Sequence, residues 1–441
     1  MTTIKHSYIE SKTIFLSKAL PLRINFLWTL IGNSVYAACQ WGMLVVLAKL
    51  GNPEMVGQFA LGLAVTAPII LFTNLQLRAV QTTDARGEYQ FGHYLAFRLI
   101  TSFLALTIIL GVIGLSGYRG QMAWIILAIG GAKVVESVSD VFHGLFQRHE
   151  RLDRAARSLM LKGPLSLLAL GFGVWQTGEV LWGTVGLLAV WFLILVAYDL
   201  PNGIWLLKLK NPGERDITAK GFNLKKIQPC WEWRELCSLA WLAFPLGMVA
   251  MLISLNSNIP RYFIESFRGT RELGIYAAIA YLMAAGGMVI NALDKAVTPR
   301  QANYYAEGNK KAFITLLVKL LGIASFVGLG GVLVAALAGR PLLTLIYRPE
   351  YAEHADILVM LMVAGWVSYM NYFLGAGMTA ARHFRIQLPL FIMVNLSLTF
   401  FSYTLIPPYG LWGAALAVTL TGIVQMVLSS LVVFRAIRRL A

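Results

Sequence analysis

Trp124–Arg157, WIILAIGGAKVVESVSDVFHGLFQRHERLDRAAR, begins as a membrane-spanning run and then departs from one. Lys133, Glu136, Asp140 and His143 recur at steps of three, four and three, with Ser137, Gly144 and Gln147 beside them. On a helix of about 3.6 residues per turn these share one face, and the opposite face is Ile, Leu, Val and Phe. A charge near the bilayer centre costs roughly 2.5–3.5 kcal/mol on insertion scales. Three charges and a histidine on one stripe are therefore tolerated only where they face other protein or a water-filled cavity. Two readings stay open. The stripe is a polar translocation pathway, or it is a self-satisfying set in which Lys133 pairs with Glu136, Glu136 shares a proton with Asp140 and the lower residues reach the interface. The basic run that follows, Arg148, Arg151, Arg154, Arg157 and Lys162, reads as a solvated cytoplasmic loop.

The rest of the chain has the composition this stretch demands. Of 441 residues 58% are hydrophobic and only 13% charged, and the mean hydropathy is +0.67. Those values place it among polytopic membrane proteins rather than soluble ones. Apolar runs of about 20 residues recur twelve times, over approximately 24–48, 54–76, 92–116, 121–146, 158–176, 180–205, 236–259, 273–296, 312–338, 355–376, 386–406 and 410–434. The fold class expected is thus all-α and polytopic, with about twelve transmembrane helices. Tyr36-Ala37-Ala38-Cys39 faintly resembles a lipoprotein cleavage site, but the apolar run continues past Cys39, so the first helix is expected to stay uncleaved. Cys39, Cys230 and Cys237 form no CxxC pair and read as bystanders.

A net charge of +16 invites a nucleic-acid reading until its distribution is counted. With twelve helices both termini fall on one side. Assigned to the cytoplasm, that side collects 28 Lys and Arg against 7 on the other (Lys49, Arg119, Arg261, Arg268, Arg271, Arg340 and Arg348), with Lys133 and Lys319 inside helices. This is a strong positive-inside bias, and it makes nucleic acid an unnecessary explanation of the charge. Multi-pass insertion with both termini cytoplasmic is the localisation expected.

The two halves resemble each other. Leu181-Trp182-Gly183 opens the sixth run and Leu411-Trp412-Gly413 the twelfth; Pro164 sits in the fifth and Pro389 in the eleventh; Arg98 and Lys319 lie near the start of their half's third. An even number of helices per half implies a parallel repeat about an axis along the membrane normal. The organisation expected is an N-terminal tail 1–23, an N-lobe 24–207, a cytoplasmic linker 208–235, a C-lobe 236–434 and a tail 435–441.

Absent motifs narrow the chemistry. There is no GxxxxGK[ST], since Gly130-Gly131-Ala132-Lys133 is followed by Val134; no HExxH, since His149-Glu150 leads to Asp153; and no DxD pair. No nucleotide, cofactor, metal or catalytic residue is expected. Outer loops are short, the longest irregular ones read as about Pro260–Glu272 and Gly339–Asp356. What remains is polar residues within helices: Asn33, Gln40, Asn74, Asn256, Ser257, Asn258, Asn291, Asp294, Asn371, Asn395 and Gln425. For any single one, interhelical hydrogen bonds of about 1 kcal/mol are the better explanation. Arg261 is the cation of the second half best placed to reach inward, or to snorkel to headgroups.

Several stretches together resemble the polysaccharide-export flippases of the MOP superfamily (O-antigen and teichoic-acid type), relatives of MATE exporters and lipid II flippases. They are Gly51–Pro68 (GNPEMVGQFALGLAVTAP), Leu75–Arg98 (LQLRAVQTTDARGEYQFGHYLAFR), Lys133–Ser158, Ile259–Tyr276 (IPRYFIESFRGTRELGIY) and Tyr409–Ala417 (YGLWGAALA). The resemblance implies two six-helix lobes in a V around a cationic cavity, in a bacterial cytoplasmic membrane. It also implies transport of an isoprenoid-diphosphate-linked oligosaccharide to the outer leaflet, with polymerase or glycosyltransferase partners. A cation in a low-dielectric cavity would neutralise the diphosphate. Lys133 is the first candidate, followed by Arg98, Arg261 and Lys319, with Asn33, Asn256 and Asn258 for the sugar. Glu136 and Asp140 are the candidates for ion coupling. The rivals are a MATE-type exporter of small organic cations, which the acidic pair allows; a membrane-embedded glycosyltransferase or polymerase, which the short outer loops disfavour; and a non-transporting scaffold, whose activity would survive neutralising the Lys133 stripe.

Overall fold

The computed structural model describes residues 19–84, 87–209, 228–381 and 384–438. Most of the 1–23 tail, most of the 208–235 linker with its Lys and Arg, and the last three residues lie outside the described residues. Among the described residues there is no strand, and the long helices number twelve. They are α1 (Leu22–Leu50), α2 (Pro53–Asn74), α3 (Phe91–Leu115), α4 (Gln121–Arg148) and α5 (Leu152–Thr177). The sixth, α6, runs Val180–Ile194, through a π-helical turn Leu195–Asp199, to Leu200–Leu209. Then come α7 (Trp233–Arg268), α8 (Thr270–Ala306), α9 (Lys310–Ile346) and α10 (Ala355–Ala380). The last two, α11 and α12, fill Phe384–Arg438 and part at Gly410, whose φ of 58° a glycine adopts without strain. Among the described residues ten helical segments are long and apolar enough to cross a membrane; α4 is not one of them, and the last, Ile386–Arg438, holds both α11 and α12. The chain is a multi-pass membrane protein.

The twelve expected runs are all found, but their ends move. The irregular loop read at Pro260–Glu272 is helix up to Arg268, and the one at Gly339–Asp356 is helix up to Ile346. The α8 helix continues past Lys295 to Ala306. Counting hydropathy stops at the first charges. The helix does not, because it keeps its backbone groups satisfied internally on either side of the hydrocarbon boundary.

The chain forms two compact units. Unit 1 contains Met1–Met43 and Ile69–Gly247, and unit 2 contains Leu44–Pro68 and Met248–Ala441. In unit 1, Leu75, Leu77, Val80, Tyr94, Phe97 and Val141 bury a core together with Leu236, Leu239 and Ala243 from the start of α7. A second core joins Phe142, Leu145 and Phe146 of α4 to Leu195, Ile204 and Leu206 of α6. In unit 2, Ile290, Leu320, Ala324, Tyr369 and Phe373 pack together from α8, α9 and α10. There α2 and α8 cross backbone to backbone: a Cβ at Gly57 would stand 1.8 Å from Thr270 O, and one at Gly274 1.8 Å from Pro53 O. Small residues at such crossings are how helices associate where lipid gives no hydrophobic drive.

Candidate functional site

Unit 1 encloses a cavity of about 520 Å³. Its polar wall comes from Asn33 and Tyr36 of α1, Asn74 of α2, Arg78 after it, the stripe Glu136, Ser137, Asp140, His143 and Gln147 of α4, and Lys162 of α5. The chain reaches this arrangement through a sharp break after α2. Leu75 and Gln76 adopt φ of 52° and 50°, a left-handed pair without a glycine, and a short helix Leu77–Thr83 starts directly behind them. Strained backbone of this kind persists where the surroundings hold it. Here Gly144 makes the room: a Cβ there would stand 2.1 Å from the buried Gln81 Oε1, and 3.5 Å from Arg78 Cγ. The short helix therefore lies against α4, and Arg78 reaches across it.

Arg78 donates from Nη1 to Asp140 Oδ1 at 3.2 Å and from Nε to Gln147 Oε1 at 3.0 Å. Lys133 donates from Nζ to Glu136 Oε2 at 2.9 Å and sits 4.9 Å from the centroid of the Trp191 ring. The Tyr36 hydroxyl donates to Glu136 Oε1 at 2.6 Å. Deeper still, Lys162 and Asp199 are closed off from solvent, with Nζ to Oδ2 at 3.1 Å, and His143 Nε2 lies 3.6 Å from Asp199 Oδ1. The π-helical turn ending at Asp199 shifts the register of α6 and brings that carboxylate inward. A buried carboxylate is tolerable only with such partners.

In the loop between α2 and α3, Asp84 gathers three donors and a guanidinium. Its Oδ1 accepts from Glu88 N at 2.9 Å, its Oδ2 from Tyr89 N at 3.2 Å and Tyr94 Oη at 3.1 Å, and Arg148 lies 3.7 Å away. Burial alone would push this carboxyl up, but the two backbone N–H groups, the tyrosine hydroxyl and the guanidinium hold it below the usual carboxylate range.

The family model described as "Polysaccharide biosynthesis protein" matches residues 22–304, which takes in every wall of this cavity. The chain belongs to that family. Among relatives, the capsular polysaccharide biosynthesis protein CapF of Staphylococcus aureus is 27% identical over 403 residues, covering 91% of this chain and 97% of its own. Two solved structures share the fold. An inward-facing multidrug resistance MATE family transporter of the MOP superfamily superposes with a TM-score of 0.72 at 15% identity, over 92% of this chain and 98% of its own. The lipid II flippase MurJ, in an inward closed conformation, superposes with a TM-score of 0.70 at 12% identity, over 94% of this chain and 90% of its own. The all-helical, twelve-helix MATE-like fold class implied by the sequence resemblance is the one found.

The residues singled out in the sequence divide clearly in this family member. Glu136, Asp140 and Asn33 line the cavity. Lys133 lies beside it, held to Glu136. Arg98 is 1% exposed on α3, with its Nη1 on Asn74 Oδ1 at 2.6 Å. In unit 2, Arg261 donates to Asn258 Oδ1 at 3.2 Å, Asn256 is half-buried on the same helix, and Lys319 is exposed on α9. Of the basic run read as a solvated loop, three members are corrected: Arg151, Arg154 and Lys162 are buried. Arg151 forks onto Asp153 with two bonds of 2.9 Å, and Arg154 stacks on Trp205. Arg98, counted among the loop cations, is likewise within a helix. Arg78 and Lys162 are the cavity cations that sequence reasoning passed over, and Asp199 is the missed acid. Its signal was an aspartate inside the sixth apolar run.

Proposed function

We propose that this chain is a flippase that moves an isoprenoid-diphosphate-linked oligosaccharide from the inner to the outer leaflet by alternating access, with no chemistry performed on it. One observation carries the reading. Packed among helices long and apolar enough to cross a membrane, the polar α4 gives a polysaccharide-biosynthesis family member a polar cavity of about 520 Å³ with Arg78 and Lys162 in its wall. Charge-assisted hydrogen bonds from such cations are the strong ones for phosphate oxygens, and water exclusion strengthens them. MurJ, named as a flippase of lipid II, shares the fold and supports the same reading.

In this account Arg78 meets the diphosphate first and Lys162 follows once it leaves Asp199, while Asn33 meets sugar hydroxyls. Lys133 joins once it leaves Glu136. Arg261, Asn256, Asn258 and Lys319 of unit 2 serve the head group later in the cycle, and Glu136 and Asp140 couple transport to an ion. Lobes at 24–207 and 236–434, cytoplasmic termini and residence in the cell membrane complete the proposal, resting on the repeat and the 28-to-7 charge bias. Polymerases or glycosyltransferases of the same assembly line are its partners.

The test is transbilayer movement of a polyprenyl-diphosphate oligosaccharide in proteoliposomes. Wild type is expected to move it, and Arg78→Gln to move it about tenfold more slowly or worse, the loss of one charge-assisted contact. Uptake of a small organic cation with no movement of the lipid would hand the protein to the exporter class.

A further inference from the structure

Around the cavity, each cation but one brings its own carboxylate. Arg78 lies 3.2 Å from Asp140, Lys133 2.9 Å from Glu136 and Lys162 3.1 Å from Asp199. Arg98 has no carboxylate within ion-pair distance among the described residues. It is 1% exposed, and neither Nε nor Nη2 has a hydrogen-bond partner. Its Nη1 donates to Asn74 Oδ1 at 2.6 Å. Asn74 is the last residue of α2, and it lines the cavity. A guanidinium buried against a neutral amide carries a large desolvation cost that this one contact does not offset.

The hydrogen bond also settles which edge Asn74 offers. Its Oδ1 is committed to Arg98, so the side chain presents its N–H₂, a donor only, and no acceptor takes those hydrogens among the described residues. A phosphate oxygen needs that edge. At the other cations an incoming anion competes with a carboxylate already in place, whereas the charge of Arg98 is there without displacement.

We propose that Arg98 is a positioning residue for the anionic head group, fixing the Asn74 amide so that its N–H₂ donates to a phosphate oxygen in the cavity and adding a positive charge that no carboxylate within ion-pair distance holds. This rests on the reading of the cavity as the diphosphate site. Arg98 itself does not touch the ligand; Asn74 does.

The experiment is Asn74→Asp, read two ways on the full-length protein in detergent. The new carboxylate completes an ion pair with Arg98, so thermal stability rises. The same change removes the donor and turns the wall negative, so binding of polyprenyl diphosphate weakens about tenfold or more. A purely structural Arg98–Asn74 contact predicts raised stability with binding unchanged, and that result overturns the proposal. Lower stability in Asn74→Asp also overturns it, because Arg98 would then lack no counter-charge. Asn74→Leu, without donor or charge, is expected to weaken binding by a smaller factor, and unchanged binding there counts against the proposal. Inorganic pyrophosphate and phosphatidylglycerol are run as competitors. Competition by pyrophosphate supports a diphosphate site, and displacement by phosphatidylglycerol at equal concentration overturns it in favour of a general anionic-lipid surface. Failure of the wild type to bind polyprenyl diphosphate at all brings down the reading of the cavity itself, an outcome distinct from binding that Asn74→Asp leaves intact.

Discussion

Both units set an arginine beside an asparagine, and the two sites differ in what surrounds them. In unit 1, Arg98 and Asn74 stand behind a cavity whose wall also holds Arg78, Asp140, Glu136 and Lys162. In unit 2, Arg261 and Asn258 share one helix, a 3.2 Å contact three residues apart, while Lys319 is exposed on another. The first arrangement joins α2, α3, α4 and α5; the second is local to α7. A cation in a membrane helix therefore says little by itself. What marks a site is charge drawn from several helices onto one space, each member held by a partner from elsewhere in the chain.

Breaking the deepest of these pairs is expected to have the largest effect. Lys162→Met leaves Asp199 buried without its cation, and loss of about 3–5 kcal/mol is expected. The double change Lys162→Met with Asp199→Leu recovers most of it, because the cost lies in the orphaned charge. Thermal unfolding of the three proteins measures this, and a double variant no better than the single contradicts the pairing. Gly144→Ala comes next. It crowds the buried Gln81 and the short helix that carries Arg78, at a cost of about 1–3 kcal/mol, and slows lipid movement more than stability alone explains.

A smaller effect belongs to Asp84 and has a sign. Its carboxyl is held below its unfolded value of about 3.9, so its contribution is present above that pH and lost as pH falls through the lower folded value. Wild type is expected to exceed Asp84→Asn in melting temperature at neutral pH and to converge with it below about pH 4. Parallel curves down to the lowest pH would count against this arrangement around Asp84. Smallest is Lys319→Met in unit 2. With an exposed side chain and no ion pair among the described residues, it changes stability by under about 0.5 kcal/mol, which sharpens the contrast with Lys162.

The helices were legible because each apolar run is long enough to cross a bilayer, and the stripe on α4 because its 3.6-residue period puts four ionisable groups on one face. The pairing of Lys133 with Glu136 was visible as an i, i+3 step and is found at 2.9 Å. The partners of Asp140 and His143 were not. Arg78 reaches Asp140 only because Leu75 and Gln76 turn left-handed after α2, and Asp199 reaches His143 only because of one π-helical turn in α6. Neither event has a sequence period. Lys162 was misread because it was grouped with the arginines before it, although the fifth apolar run, read from about 158, already contains it; α5 starts ten residues before it at Leu152 and carries it inside.

The most direct test of the central claim, that the head group occupies the cavity of unit 1, is protection of engineered thiols. Cys39, Cys230 and Cys237 are replaced by serine, and single cysteines are placed at Asn33, in the cavity wall, and at Lys319, exposed in unit 2. Alkylation by a membrane-permeant maleimide is then timed with and without polyprenyl diphosphate. The account predicts that the lipid slows reaction at Asn33→Cys and leaves Lys319→Cys unchanged in the resting protein. Protection at Lys319→Cys with none at Asn33→Cys would contradict it.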